Sequence, residues 1–211
     1  MMHIITQFYD RSLDLVIQPQ RTFARVAEHP RLLPGVLFLV LATLAMTIVL
    51  SPMIVARMLT MAQELEIVGI ERMVSLVTIL GVVFAIVQTV LSLVMGALVM
   101  HGLARLLGGV ADVYQTAVVT VIAAIPTGIK ALVITAIALI FGPERAPLAM
   151  GGMAGPSLLM LLDPFAIWSA ILLGVGLTVV HRLSRGRAFA LAFGLMLVGV
   201  LLNALSGMGA S

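Results

Sequence analysis

Several uninterrupted apolar runs, each longer than about 18 residues, constrain this sequence more than any other feature. A helix of that length crosses a hydrocarbon core about 30 Å thick. Apolar residues make up 62% of the 211 residues and charged residues only 10%, which is too much apolar surface for one soluble core. The sequence therefore predicts an all-α polytopic membrane protein.

Five runs have the length and composition of membrane-spanning helices. The five runs form one membrane domain over 33–206. A cytoplasmic lead-in at 1–32 precedes this domain, and a short outer tail at 207–211 follows it. We predict the spans at about 33–55, 74–100, 113–141, 157–180 and 188–205.

The arginines between the predicted spans indicate the orientation. With the N-terminus inside, the cytoplasmic segments carry eight arginines and the outer segments carry three. Short cytoplasmic loops are enriched in Lys and Arg, so we expect a cytoplasmic N-terminus and an outer C-terminus, in a cell inner (plasma) membrane. Arginines beside spans indicate the lipid bilayer as a partner and give no reason to expect nucleic acid.

The lead-in contains two short amphipathic helix candidates. The first carries Phe8 on its apolar face, and the second begins at Pro19 and brings Phe23 close to Val26. We expect Phe8, Phe23 and Arg25 to lie at the membrane interface. The alternative is a plain juxtamembrane segment without a partner.

Residues suited to catalysis or metal binding are scattered along the chain. The four histidines fall in four separate segments with no metal-ligand spacing, and the sequence contains no cysteine. No nucleophile lies beside a base and an acid in the sequence. We therefore expect no metal, no cofactor and no enzymatic activity.

Polar residues inside the predicted spans form the candidate site. Pro126 is expected to break the third helix near its middle. Gln88 and Ser92 lie one turn apart on the second span and could face the polar side of the third. The polar positions that share one quadrant of the third span are Thr116, Thr120, Thr127 and Lys130.

Lys130 is the only lysine of the chain and falls inside a predicted span. Such a charge costs about 2.5–3.5 kcal/mol near the bilayer centre, so it needs a partner, a wet cavity or access to an interface. Asp163 enters the fourth span from the same outer side, and we predict an ion pair between the two. Two alternatives stay open: Lys130 reaches the outer headgroups, or Asp163 caps a helix that begins at Pro164.

Small residues four positions apart recur in the spans, and they allow close helix packing. That packing lies within the monomer or forms a homo-oligomer face with a second copy. The pairs are Ser92 with Gly96, Ala170 with Gly174, and Ala190 with Gly194.

Three sequence features together resemble the Yip family of Rab-interacting five-span membrane proteins. They are the Gly108-Gly109 turn before the third span with its Tyr114 and Pro126, the opening LDPFAIWSAILLGVGL of the fourth span, and the loop SRGRAFAL into the fifth. The lead-in QPQRTFARVAEHPRLLPG is similar to that of the bacterial branch. The resemblance implies five membrane helices and a cytoplasmic N-terminus, and in eukaryotic relatives it implies vesicle trafficking and Rab binding.

The sequence departs from those relatives before the first span, where HPRLLPG replaces an acidic Tyr-Gly-Pro type motif. A Rab-type GTPase is therefore not expected as a partner. The expected function is a non-enzymatic, membrane-organising or trafficking-type adaptor that engages lipid, other membrane proteins or itself. The alternative is a transporter of a small solute, ion or lipid, with a polar path between spans two, three and four.

Overall fold

The computed structural model describes residues 18–64, 74–145 and 163–208, and within those ranges the fold is all-helical. The predicted helix that carries Phe8 and the predicted start of the fourth span at 157–162 lie outside the described residues. A short 3₁₀ turn at Pro143–Arg145 follows the fifth helix. The helices are α1 Pro19–Glu28, α2 Leu33–Glu64, α3 Val74–Leu106, α4 Val113–Ala123, α5 Ile125–Phe141, α6 Pro164–Val180 and α7 Arg185–Met208.

Four helical segments of the described residues are long and apolar enough to cross a membrane. They are α2, α3 from Leu76, the combined stretch Val113–Phe141, and α7 up to Leu202. α6 is equally apolar but has 17 residues, a length of about 26 Å. The described helices therefore give a multi-pass membrane fold.

α2 and α3 extend beyond the predicted spans. α2 continues to Glu64 rather than ending near residue 55, and α3 continues to Leu106 rather than 100. Hydropathy marks where a helix leaves the hydrocarbon, whereas helix-forming residues such as those of ARMLTMAQE continue the backbone pattern into the polar region. The helices are consequently longer than their membrane-crossing parts.

The third predicted span is interrupted, and the interruption falls at Ala124, two residues before Pro126. Proline has no backbone N–H, so it cannot continue the hydrogen-bond ladder of α4, but it fits the first turn of a new helix. The N–H groups of Thr127 and Gly128 both donate to the Ala124 carbonyl, at 3.0 and 3.3 Å, and start α5. The predicted break is thus a joint between two helices.

The main core lies where α1, α4 and α6 meet. Phe23 of α1 is fully buried against Gly176 of α6 and packs in one cluster with Val118, Val119 and Leu172. A Cβ added at Gly176 would lie 2.6 Å from Val119 Cγ1 and 2.9 Å from Phe23 Cε1, so only glycine leaves room for the ring. α1 is therefore an integral part of the bundle.

α3 is the least enclosed helix. The buried side chains of its described part are Ala97, Met100 and Ala104, all in its C-terminal third, while Phe84 and Leu91 are more than half exposed. Exposed apolar side chains of this size are typical of a lipid-facing surface. This pattern agrees with a membrane protein.

Candidate functional site

The end of α3 is closed by the double glycine of the sequence. Gly108 has φ of +92°, a left-handed conformation that glycine adopts without strain. Its N–H donates to the Arg105 carbonyl at 3.0 Å, and the Gly109 N–H donates to the Ala104 carbonyl at 2.8 Å. These two bonds form a Schellman motif, which ends the helix and turns the chain toward α4.

Gly109 is needed for a second reason. A Cβ at this position would lie 2.5 Å from Nδ1 of His181 and 2.8 Å from the Ala104 carbonyl oxygen. The glycine therefore allows the imidazole that follows α6 to pack directly on the turn. The backbone N–H of Val110 also donates to the His181 carbonyl, at 3.2 Å.

Thr116 joins three helix ends through one hydroxyl. Its Oγ1 lies 2.7 Å from the Asp112 carbonyl oxygen, 3.0 Å from His101 Nδ1 and 2.9 Å from His181 Nε2. A carbonyl only accepts, so the hydroxyl proton is directed to Asp112, and both ring nitrogens donate to the hydroxyl oxygen. α3, α4 and the end of α6 are held together at this point, which we call the Thr116 node.

His181 is neutral in this arrangement. Burial, with smaller contributions from nearby His101 and Arg105, lowers its pKa from 6.5 to about 4, although Asp112 acts in the opposite direction. Because Nε2 carries the proton that goes to Thr116, the buried Nδ1 is bare, and it has no hydrogen-bond partner among the described residues. A second proton on His181 would find no acceptor in the described part of the site.

The start of α4 connects the Thr116 node to α1. Asp112 Oδ1 accepts from the Gln115 N–H at 2.7 Å and Gln115 Oε1 accepts from the Asp112 N–H at 3.2 Å, which is a capping box. Gln115 Nε2 then donates to the Ala27 carbonyl of α1 at 3.1 Å. One side chain thus caps α4 and holds the lead-in helix.

Two exposed arginines donate hydrogen bonds to the turn between α3 and α4. Arg105 donates to the Gly109 carbonyl at 3.2 Å, and Arg187 of α7 donates to the Leu107 carbonyl at 3.3 Å. Both side chains are exposed, as are those of Arg182 and Arg185. We call the end of the bundle that carries these four arginines the arginine-rich end.

The Thr116 node is not predicted by the sequence patterns. Thr116 falls in the polar quadrant of the third span, but His101 and His181 fall in separate segments and were interpreted as scattered, although their ring centroids are 6.1 Å apart. One signal was present: with five spans, both histidines fall at the same side of the membrane, one at the end of the second span and one after the fourth. Among the described residues, no group of three His, Cys, Asp or Glu side chains could hold a metal.

The second polar contact is the predicted ion pair. Lys130 Nζ lies 2.6 Å from Asp163 Oδ2, and the two side chains are 25% and 18% exposed. Asp163 Oδ1 accepts from the Phe165 N–H at 3.0 Å, so the same carboxylate caps α6, with Pro164 in its first turn. The ion pair and the helix cap, which the sequence left as alternatives, are both present.

The other residues of the predicted polar cluster do not join this pair. Thr127 is exposed and its Oγ1 lies 3.4 Å from Ser169 Oγ, while Thr120 donates to the Thr116 carbonyl at 2.9 Å. Gln88 and Ser92 are exposed on α3 and lie outside the Lys130 contact. The helical wheel was wrong about them because it assumed one straight third helix and a known face for the second.

The three residues predicted at the membrane interface have different outcomes in the structure. Phe23 is 0% exposed and belongs to the protein core, so its assignment to the membrane interface was wrong. An amphipathic face shows that a helix buries one side but does not say whether lipid or protein covers it. Arg25 lies on the exposed side of α1, and Phe8 is outside the described residues.

A comparison with protein families shows to which family this chain belongs. The model of the Yip1 domain matches residues 13–206, which is nearly the whole chain. The chain belongs to the Yip1 domain family. The match of this Yip1 domain takes in α1, the Thr116 node and the Lys130–Asp163 pair. No curated protein and no solved structure matched the chain.

Proposed function

We propose that this Yip1 domain protein is a non-enzymatic, membrane-organising adaptor with five spans, a cytoplasmic N-terminus and an outer C-terminus in the cell inner membrane. The arginine distribution supports this orientation. α6 would be the fourth span, since about 26 Å of apolar helix nearly matches a 30 Å hydrocarbon core. The arginine-rich end would then face the cytoplasm.

One observation carries the proposal: the charged pair inside the membrane domain holds helices together. Asp163 accepts from Lys130 of α5 through one oxygen and caps α6 through the other. Each charge is therefore satisfied by a neighbouring helix rather than left for a substrate. This is the bonding of an architectural joint, and it supports a scaffold.

The transport alternative is less well supported by the same contacts. An anionic substrate at Lys130 would first have to displace a carboxylate at 2.6 Å, which is a direct charge-assisted bond. At the joint, the N–H groups of Thr127 and Gly128 donate to the Ala124 carbonyl, so these two donors are already engaged. We therefore do not propose a path between these helices.

The arginine-rich end is the surface that we assign to partner proteins. Arg105 and Arg187 support the α3–α4 turn through backbone carbonyls, so the turn offers a fixed platform. Arg182 is exposed at the same end, and so is Arg21 of α1, whose neighbour Gln20 lines a cleft together with Arg185. A positive face of this kind fits an acidic surface on another membrane protein or on a second copy of the chain.

Chemical crosslinking in native membranes, followed by affinity purification, tests the adaptor role. Wild type should recover a reproducible partner or oligomer, and Arg21→Glu combined with Arg182→Glu should reduce its yield about tenfold through charge repulsion. The control is Arg57→Glu, which changes an exposed arginine near the C-terminal end of α2. A wild-type protein that recovers no reproducible partner or oligomer would overturn the proposal.

A further inference from the structure

A cleft lies between α1, α6 and α7 at the arginine-rich end. Its volume is about 250 Å³. The residues that line it come from the first turn of α1, the last two turns of α6 and the start of α7. They are Gln20, Val175, Thr178, Val179, Arg185 and Phe189.

The cleft is amphipathic. Val175, Val179 and Phe189 form an apolar wall and are partly buried, while Gln20 and Arg185 are exposed at the helix starts. Thr178 adds little polarity because its hydroxyl donates to the Gly174 carbonyl at 2.9 Å. Within the described part of the chain, the side chains of Gln20 and Arg185 make no hydrogen bond or ion pair.

The apolar wall is held in place by close packing. A Cβ at Gly174 would lie 2.9–3.0 Å from three ring atoms of Phe189, so this ring rests directly on the α6 backbone. Phe193, one turn later on α7, stacks with Phe189 at a distance of 6.4 Å between ring centroids. The wall is therefore preformed, which lowers the cost of binding.

We propose that this cleft binds one anionic phospholipid of the cytoplasmic leaflet. The phosphate would contact the Arg185 guanidinium, whose planar fork matches two phosphate oxygens, and the Gln20 amide would donate to a third. The upper parts of the acyl chains would follow Val175, Val179 and Phe189. The inference rests on the proposed topology, which puts the arginine-rich end at the depth of the cytoplasmic headgroups.

Two observations favour a lipid over other ligands. The cationic and apolar sides of the cleft are arranged as in a lipid, with the charge toward the helix ends and the apolar wall toward the middle of the bundle. A volume of about 250 Å³ is below the usual range for a whole small-molecule ligand, roughly 300–1,000 Å³, but holds a headgroup phosphate with its glycerol. The α1 side of the cleft is also preformed, because buried Phe23 fixes this helix to the bundle.

Native mass spectrometry of the purified full chain in neutral detergent tests the proposal. With phosphatidylglycerol added, wild type should retain one lipid in preference to phosphatidylcholine, and Arg185→Gln should weaken that binding at least fivefold. Arg57→Gln removes the same charge from an exposed site outside the cleft and should leave binding unchanged. Equal loss in the two variants would overturn the site, since it would show general attraction to charge.

A second variant keeps the test valid if Arg185→Gln fails to fold. In Val179→Trp the larger indole would occupy the cleft beside the apolar wall and leave Arg185 in place. This variant should also abolish retention of phosphatidylglycerol. Glycerol phosphate or an acidic peptide that displaced the lipid from wild type at equal concentration would contradict a lipid site. Lipid binding is read on the isolated chain, so its failure would leave the crosslinking result for partner proteins standing by itself.

Discussion

At the scale of single residues, Thr116 shows how little polar chemistry is needed to fix a membrane bundle. One hydroxyl donates to the carbonyl one turn before it and accepts from His101 and His181, which belong to two other helix ends. The sequence pattern placed Thr116 in the polar quadrant of the third span. Its partners could not be predicted, because they lie 15 and 65 residues away and meet only when the helix ends are packed.

The packing of His181 on the glycine turn predicts that Gly109→Ala destabilises the protein. The new Cβ would lie 2.5 Å from the ring and 2.8 Å from a backbone oxygen, and the backbone cannot move away cheaply. We expect a loss of about 1–3 kcal/mol in the free energy of unfolding in detergent. Gly102→Ala is the control: this helical glycine has no atom within 4 Å of an added Cβ, so alanine should stabilise α3 by up to about 1 kcal/mol.

The lowered pKa of His181 predicts a loss of stability in acid. The unfolded histidine has a pKa of 6.5 and the folded one a pKa of about 4, so protons bind preferentially to the unfolded chain between these values. The contribution of neutral His181 is complete above pH 6.5 and falls as the pH drops toward 4. Over this window the unfolding constant should rise by up to about tenfold per pH unit.

His181→Gln separates this effect from other titrating groups. The glutamine amide can still donate to Thr116 but does not titrate, while His101, Arg105 and Asp112 are unchanged. The unfolding constant should therefore depend less on pH in the variant than in wild type between pH 6.5 and 4. Identical pH profiles for the two proteins would contradict the assignment of a buried neutral imidazole.

At the scale of helices, the sequence predicted the joint and the ion pair because both follow from counting along the chain. Pro126 marks where the backbone hydrogen-bond ladder of the third span must be interrupted. The depths of Lys130 and Asp163 in the membrane follow from their distances to the ends of the predicted spans. The exact joint at Ala124 depends on which carbonyl starts α5, and the burial of Phe23 depends on Gly176, 153 residues later. Such choices are made by tertiary packing and not by periodicity.

The contact between α5 and α6 predicts an energetic coupling between Lys130 and Asp163. Lys130→Met and Asp163→Asn should each lower stability, and the double variant should lose less than the sum, with a coupling of about 1–2 kcal/mol. Asparagine also caps helices well, so Asp163→Asn tests the charge while keeping the cap on Phe165. The measurement is a double-mutant cycle of unfolding in detergent, and simple additivity would rule out a bonded pair.

At the scale of the whole molecule, the polar contacts of the described residues concentrate in two places. The Thr116 node holds α4 to the ends of α3 and α6, with Gln115 next to it bonded to α1, and the Lys130–Asp163 pair holds α5 to α6. Composition was sufficient to predict a multi-pass helical fold, because no soluble core could enclose so much apolar surface. The number of spans depends on α6, because its 17 residues make it shorter than each of the four stretches of the described residues that are long enough to cross a membrane.

Labelling of single cysteines with a membrane-impermeant maleimide tests the five-span account most directly. The chain has no native cysteine, so Gln18→Cys, Arg145→Cys and Ser184→Cys can each be introduced alone at exposed positions. We predict that residues 18 and 184 react only from the cytoplasmic side and residue 145 only from the outside, because α6 separates 145 from 184. Labelling of 145 and 184 from the same side would show that α6 does not cross the membrane and would contradict the account.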